Sequence, residues 1–281
     1  MAAGIGRTGY DPGFLGVAVP LPTAAGVRTS VLDYTHFSVL MRPDRRLAAA
    51  TAVAIDGAEL VELDREGLEW RLDRRLSAAE QAGGELYRNN DLDRGHLVRR
   101  SDPVWGPPGE AAQANADTFH YTNAAPQQAQ FNQSKLLWFG LEDYLLANAA
   151  DYDRRLVVLT GPVLAPGDPR YRGVQIPLQF WKIAAFLSQG QLAATAYLLD
   201  QTPPDPERLR RLTAAGELTE PPPLGPYRTF QVPVADVAEL TGLDLGPLPG
   251  ADRLPAAMQA IRRAWTPLTT LRDIAYRQAR T

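Results

Sequence analysis

Val31–Met41 and Leu47–Ile55 carry β-branched, aromatic and small apolar residues on either side of Arg42-Pro43-Asp44. β-Branched and aromatic side chains flanking a Pro-Asp turn predict a β-hairpin. Asp56-Gly57 marks another turn, and Glu59–Leu63 is predicted as a short strand after it. From Arg71 to Leu92 the apolar pattern weakens, and Gly83-Gly84 and Asn89-Asn90 predict a long loop, a length that compact domains usually reserve for function. Asp117–Thr122 reads as a strand. Gln133–Ala150 carries the clearest helical period, with Leu137, Leu141, Tyr144 and Leu145 on one face and Asn132 placed to cap it. Arg155–Leu159, Gln179–Phe186, Gln191–Leu199 and Tyr227–Val232 follow as strands. Pro206–Ala215 and Ala235–Leu240 are short helices, the second stopped near Gly242, and Leu254–Arg280 reads as one or two amphipathic helices around Pro267. Strands outnumber helices and do not alternate with them, which predicts an α+β fold with a mixed or antiparallel central sheet and flanking helices.

Composition narrows the chemistry. The chain has 281 residues, 45% hydrophobic and 22% charged, so it can bury a large core and wholesale disorder is excluded. It contains no cysteine, which removes disulfide scaffolds, thiolate metal sites and cysteine nucleophiles and leaves the compartment open. Three histidines, His36, His96 and His120, would all have to converge to make a three-histidine zinc site. Of 29 basic residues only Lys135 and Lys182 are lysines. Arginine's planar fork suits phosphates, although coding bias accounts for most of this excess. The net charge of −3 excludes a wholly basic nucleic-acid-binding surface but not a local patch. Met1–Val19 lacks a basic region followed by an apolar run, so no secretory leader is expected. Leu156–Leu164 and Ile176–Leu187 are too short or too interrupted to span a bilayer, so no membrane association is expected.

Two stretches carry candidate chemistry. Asn89–Arg100 contains the only histidine flanked by arginines. A neutral imidazole can take a proton near neutral pH, and arginines can hold an anion beside it, yet a histidine in a polar loop is also an ordinary surface residue. The second stretch is Thr122-Asn123-Ala124-Ala125-Pro126-Gln127 followed by Phe131-Asn132-Gln133. Asn132 can cap the helix, or its carbonyl can ligate a hard divalent cation such as Mg²⁺.

Asp93-Arg94-Gly95-His96, Thr122-Asn123-x-x-Pro126-Gln127, Phe131-Asn132-Gln133 and Leu141-Glu142-Asp143 occur in that order. In this the chain resembles the DNA/RNA non-specific endonucleases, sugar-non-specific nucleases with a ββα-metal active site. Leu159-Thr160-Gly161-Pro162, Pro177–Lys182 and Leu240–Asp244 add to the resemblance. It implies an endonuclease domain over residues 30–252, with an extended arm at 1–29 and a helical extension at 253–281.

The resemblance implies Mg²⁺-dependent hydrolysis of DNA and RNA to 5′-phosphate ends, with Mn²⁺ as a substitute ion. His96 would be the general base and Asn132 the direct metal ligand. Arg94 would support the site electrostatically, and Asn123 would lie near the base or the scissile phosphate. Glu142 would act through metal-bound water, but it stands ten residues after Asn132 where the family pattern has eight. Two extra residues turn a helix by about 200°, so an exposed helix carboxylate is the competing reading for Glu142. Arg65 is the candidate upstream phosphate ligand and Arg71 the runner-up. Arg99 and Arg100 either add to phosphate binding or lie on a solvated face. His36 and His120 are expected to be structural, and Trp181 and the other aromatics to be core.

Recognition through the phosphate backbone would be salt-sensitive and weakly sequence-selective. A broad nuclease without a leader would threaten its own cell, so leaderless export, an inhibitor or a regulatory partner is expected, and the resemblance implies a homodimer. The competing functions are a nucleic-acid-binding protein of this fold that has lost catalysis, and a narrower phosphodiesterase.

Overall fold

The computed structural model describes residues 8–128, 155–214, 216–259 and 265–275. The strands are β1 (Thr23–Ala24), β2 (Ser30–Asp33), β3 (Phe37–Arg42), β4 (Leu47–Asp56), β5 (Leu92–His96), β6 (Ala124–Gln128), β7 (Arg155–Pro162), β8 (Arg170–Tyr171), β9 (Val174–Gln175), β10 (Gln179–Ser188), β11 (Gln191–Asp200), β12 (Arg228–Val232), β13 (Leu243–Asp244) and β14 (Thr266–Leu268). The helices are α1 (Gly84–Tyr87), α2 (Pro108–Asp117), α3 (Pro206–Ala214), α4 (Val234–Thr241) and α5 (Ala256–Gln259).

Eight strands form one sheet in the order β14-β12-β11-β10-β7-β4-β3-β2, and every neighbouring pair in it is antiparallel. β4 is buried along its whole length, because both faces of the sheet are covered. On one face Trp181, Ile183, Val157 and Leu159 pack with Val234 and Val237 of α4 and with Tyr10, Phe14 and Val19 from the start of the chain. On the other, Val53, Ile55, Val158, Phe180 and Tyr197 pack against Leu97, Val98 and Ala125. Each fully buried Leu, Ile or Phe contributes about 1.5–3 kcal/mol of transfer free energy. Gly161 in β7 is required by this packing. A Cβ there would run into the Ala49 carbonyl and lie 2.9 Å from the Trp181 ring. A third cluster joins Leu86, Tyr87 and Leu92 to Tyr171, Val174 and Ile176.

The α+β class and the main-sheet strands match the sequence pattern, and the sheet is antiparallel. Several local expectations are corrected. The predicted strand Val31–Met41 is two strands, β2 and β3, separated by a turn in which His36 has φ 66°. Glu59–Leu63 is not a strand: residues 57–59 form a 3₁₀ turn, and Leu60 makes a single bridge to Trp105. Asp117–Thr122 is the end of α2 followed by the 3₁₀ turn Tyr121–Asn123. α2 escaped notice because its buried apolar residues are alanines, Ala111 and Ala114, which leave no stripe of large side chains. The tail is not wholly helical, since Pro267 lies in β14, an edge strand, where a missing N–H costs no ladder bond. The helix predicted over Gln133–Ala150 lies outside the described residues. Among the described residues no helix is long and apolar enough to cross a membrane.

Candidate active site

β5 and β6 form a two-stranded antiparallel ribbon on the sheet face that carries Val53 and Phe180. The register sets Asp93 opposite Gln127, Arg94 opposite Pro126, Gly95 opposite Ala125 and His96 opposite Ala124. Two sequence motifs thus become one object. Gly95 lacks a side chain because a Cβ there would occupy the space of the Gln127 side chain.

Side chains fasten the ribbon at both ends. After His96, Leu97 N donates to Asn123 O at 2.9 Å and Val98 N to Asn123 Oδ1 at 2.8 Å. Asn123 Nδ2 returns hydrogen bonds to Val98 O at 2.9 Å and Thr118 O at 3.1 Å. At the far end Gln128 N donates to Gln201 Oε1 at 3.2 Å, and Tyr227 Oη donates to Gln128 O at 2.7 Å. Gln201 Nε2 also donates to Pro126 O and Pro177 O, tying β6 to the loop before β10.

His96 is enclosed by aromatic rings. Its imidazole lies 4.6 Å from the Trp70 ring and 5.2 Å from the Phe119 ring, the latter edge to face. Nε2 is sealed from solvent and has no hydrogen-bond partner among the described residues. Burial, and then the charges of Arg65 and Arg100, push its pKa down to about 3. The substrate-free imidazole is therefore neutral across the physiological range, with a lone pair to offer.

Trp70 is held from the next residue. Arg71 N donates to Phe119 O at 3.0 Å, and Tyr121 N donates to Arg71 O at 2.9 Å. The Arg71 side chain donates to His120 Nε2 at 3.0 Å and to Ala116 O at 2.9 Å. Arg71, the runner-up phosphate ligand, is held by these contacts and keeps an exposed side-chain surface. The Arg65 loop is pinned on both sides: Arg100 donates to Leu63 O, and Asn115 Nδ2 to Asp64 O at 2.9 Å. Arg65 itself is exposed and near enough to His96 to act on its charge.

The remaining predicted residues divide plainly. Arg94 is exposed, two residues from His96 on the same strand face, with its guanidinium 5.5 Å from the centre of the Tyr87 ring. Asn123 is fully buried, and its amide is spent on backbone groups. Arg99 is half-buried beside the ribbon. Asn132 and Glu142 lie outside the described residues. His36 bonds Pro103 O at 2.7 Å and Glu110 at 3.0 Å, and His120 bonds Asp117 O at 2.8 Å, so both are structural. Sequence reasoning missed Trp70, Phe119, Gln201 and Tyr227 as site builders. Only Trp70 had a signal, its place five residues after Arg65.

The donors that remain select the kind of metal the site could hold. There is no cysteine, the ring nitrogens of His36 and His120 are engaged, and Nε2 of His96 is enclosed. Among the described residues no group of three or more His, Asp or Glu can hold a metal. Besides Nδ1 of His96, the donors left near the ribbon are oxygens, a donor type that suits hard divalent cations.

A family model described as DNA/RNA non-specific endonuclease matches residues 19–250. A curated relative from Sinorhizobium fredii (strain NBRC 101917 / NGR234), bearing the name uncharacterized protein y4fB, is 40% identical over 261 residues, covering 85% of this chain. The match spans 39% of that relative's length. Among solved structures, the EndoG/EndoGI complex, described as showing the mechanism of EndoG inhibition, contains a chain similar at TM-score 0.55 and 16% identity, covering 76% of this chain and 84% of that one. At that identity the likeness is one of fold.

Proposed function

The chain belongs to the DNA/RNA non-specific endonuclease family, and from that membership we propose that it is a metal-dependent endonuclease cleaving phosphodiester bonds of DNA and RNA, with His96 as general base. The observation that carries this reading is a neutral histidine at the end of β5, its Nε2 sealed, beside the exposed arginines Arg65 and Arg94.

In this reading Nδ1 of His96 takes a proton from water as that water attacks phosphorus in line. Arg65 and Arg94 hold the phosphate oxygens and oppose the charge that builds on them. The arriving phosphate also neutralises part of the field of Arg65 and Arg100, which raises the basicity of His96 when it is needed. Asn123 fixes the 97–98 backbone behind the base. Asn132 is the proposed oxygen ligand for the cation, and Glu142 the proposed carboxylate that orients its water. A hard divalent cation, when bound, stabilises the phosphate oxygens and the departing 3′ oxygen. The products carry 5′-phosphate and 3′-hydroxyl ends.

The test is cleavage of plasmid DNA and of RNA with Mg²⁺, with and without EDTA, beside His96→Ala. Cleavage of both polymers, abolished by EDTA and lowered about 100- to 10,000-fold in the variant, is expected for loss of a general base. Equal activity from His96→Ala would overturn the mechanism, and cleavage confined to small diesters would select a phosphodiesterase.

A further inference from the structure

The three histidines differ in what meets their ring nitrogens. His36 and His120 each place one nitrogen on a backbone carbonyl, Pro103 O and Asp117 O. A histidine base usually has such an acceptor, because the N–H it points there leaves the lone pair on the other nitrogen. His96 has none among the described residues: its enclosed Nε2 is unpartnered, and its ring contacts are Trp70 and Phe119.

Aromatic faces are electron-rich. They attract an N–H and repel a lone pair. With the imidazole tilted 49° to the Trp70 ring at 4.6 Å, the buried Nε2 can direct an N–H at that face, and hydrogen there leaves the Nδ1 lone pair for water. The rings are also rigidly placed. Two backbone hydrogen bonds join Arg71 to Phe119 and Tyr121, and the Arg71 side chain is anchored on His120 and Ala116.

We propose that Trp70 is a positioning residue for His96, its ring taking the place of the usual acceptor and holding the imidazole in the Nε2–H tautomer. The proposal rests on the reading of His96 as the base. It also gives His120 a part, since His120 holds the arginine that follows Trp70 in the chain. Arg65 and Arg100 are the charged groups that act on His96, and both oppose its protonation.

The test uses the full chain with ¹⁵N-labelled histidine, the His96 signals being assigned by their loss in His96→Ala. The native protein should show the Nε2–H tautomer. Trp70→Leu should show mixed tautomers, and its DNA cleavage should lose kcat by about 10- to 100-fold with KM within about threefold, the loss expected of a mispositioned base. Opening the ring to water should also move the acid limb of the pH–rate profile upward. Trp70→Phe keeps an aromatic face and should retain the tautomer and most of kcat. It also keeps the question answerable if Trp70→Leu does not fold.

An unchanged tautomer in Trp70→Leu would overturn the proposal, and so would a rise in KM alone, which would make Trp70 a substrate contact. A native protein that shows the tautomer and loses it in Trp70→Leu but cleaves no nucleic acid would sink the endonuclease reading and leave the positioning role standing.

Discussion

The main sheet and the β5–β6 ribbon are held together in opposite ways. β4, β7, β10 and β11 are paired on both sides and covered on both faces. Their stability is spread over many backbone bonds and apolar contacts. The ribbon has two strands, and single side chains finish it: Asn123 behind His96, Gln201 and Tyr227 at Gln128, Gln127 over Gly95. Redundancy gives the sheet stability, and the lack of it makes the ribbon sensitive to single atoms.

Substitutions can separate the two. Trp181→Ala empties a fully buried position in the sheet and should cost about 3–5 kcal/mol, read as a lowered denaturation midpoint, with native activity per folded molecule. If the folded fraction lost its activity as well, the two regions would not be separable in this way.

Asn123→Ala removes three side-chain hydrogen bonds and strands buried backbone groups at Val98 and Thr118. It should cost about 2–4 kcal/mol by that loss. It should also lower kcat by about 100-fold in the molecules that remain folded, because a base moved by about 1 Å is misaligned. Native kcat in Asn123→Ala would mean that the main sheet alone positions His96.

The smallest effect is a pH dependence belonging to the ribbon side. Burial depresses the pKa of His96 and of His120 below the ordinary histidine value of about 6.5, so the unfolded chain takes up protons that the folded chain refuses. The stability contribution is whole above about pH 6.5 and declines as pH falls, down to the folded value for His96 of about 3. Thermal melts between about pH 6.5 and 4.5, where Asp168 also titrates in both proteins, should show a shallower decline in His96→Ala than in the native protein. An identical slope would show that the His96 enclosure opens to water in solution.

How far each region could be read from the sequence follows the same division. β10 and β11 are long runs of apolar and small residues joined by a Gln189-Gly190 turn, and such local signals suffice to find them. α4, ending at Gly242, was equally plain. Around the site the local signal misled. Asp93–His96 is polar enough to read as loop and is a strand, because its pairing with β6 and its anchors outweigh composition. α2 was hidden by its alanines, and Pro267, which argues against a strand in general, is tolerated at the sheet edge.

The sequence by itself determined the α+β class, the antiparallel hairpins and the family, and it singled out His96 as a candidate, since each is written in short-range period or in contiguous motifs. Only the tertiary structure decided what surrounds that histidine. It brought Trp70 and Phe119 onto one ring, joined Arg71 to His120, set the Asn123 side chain on the Val98 and Thr118 backbone, and tied Gln128 to Gln201 and Tyr227. Most of those contacts join residues dozens of positions apart. A periodicity of two or 3.6 carries no information about which distant side chain will meet another, and the packing of the sheet supplies it.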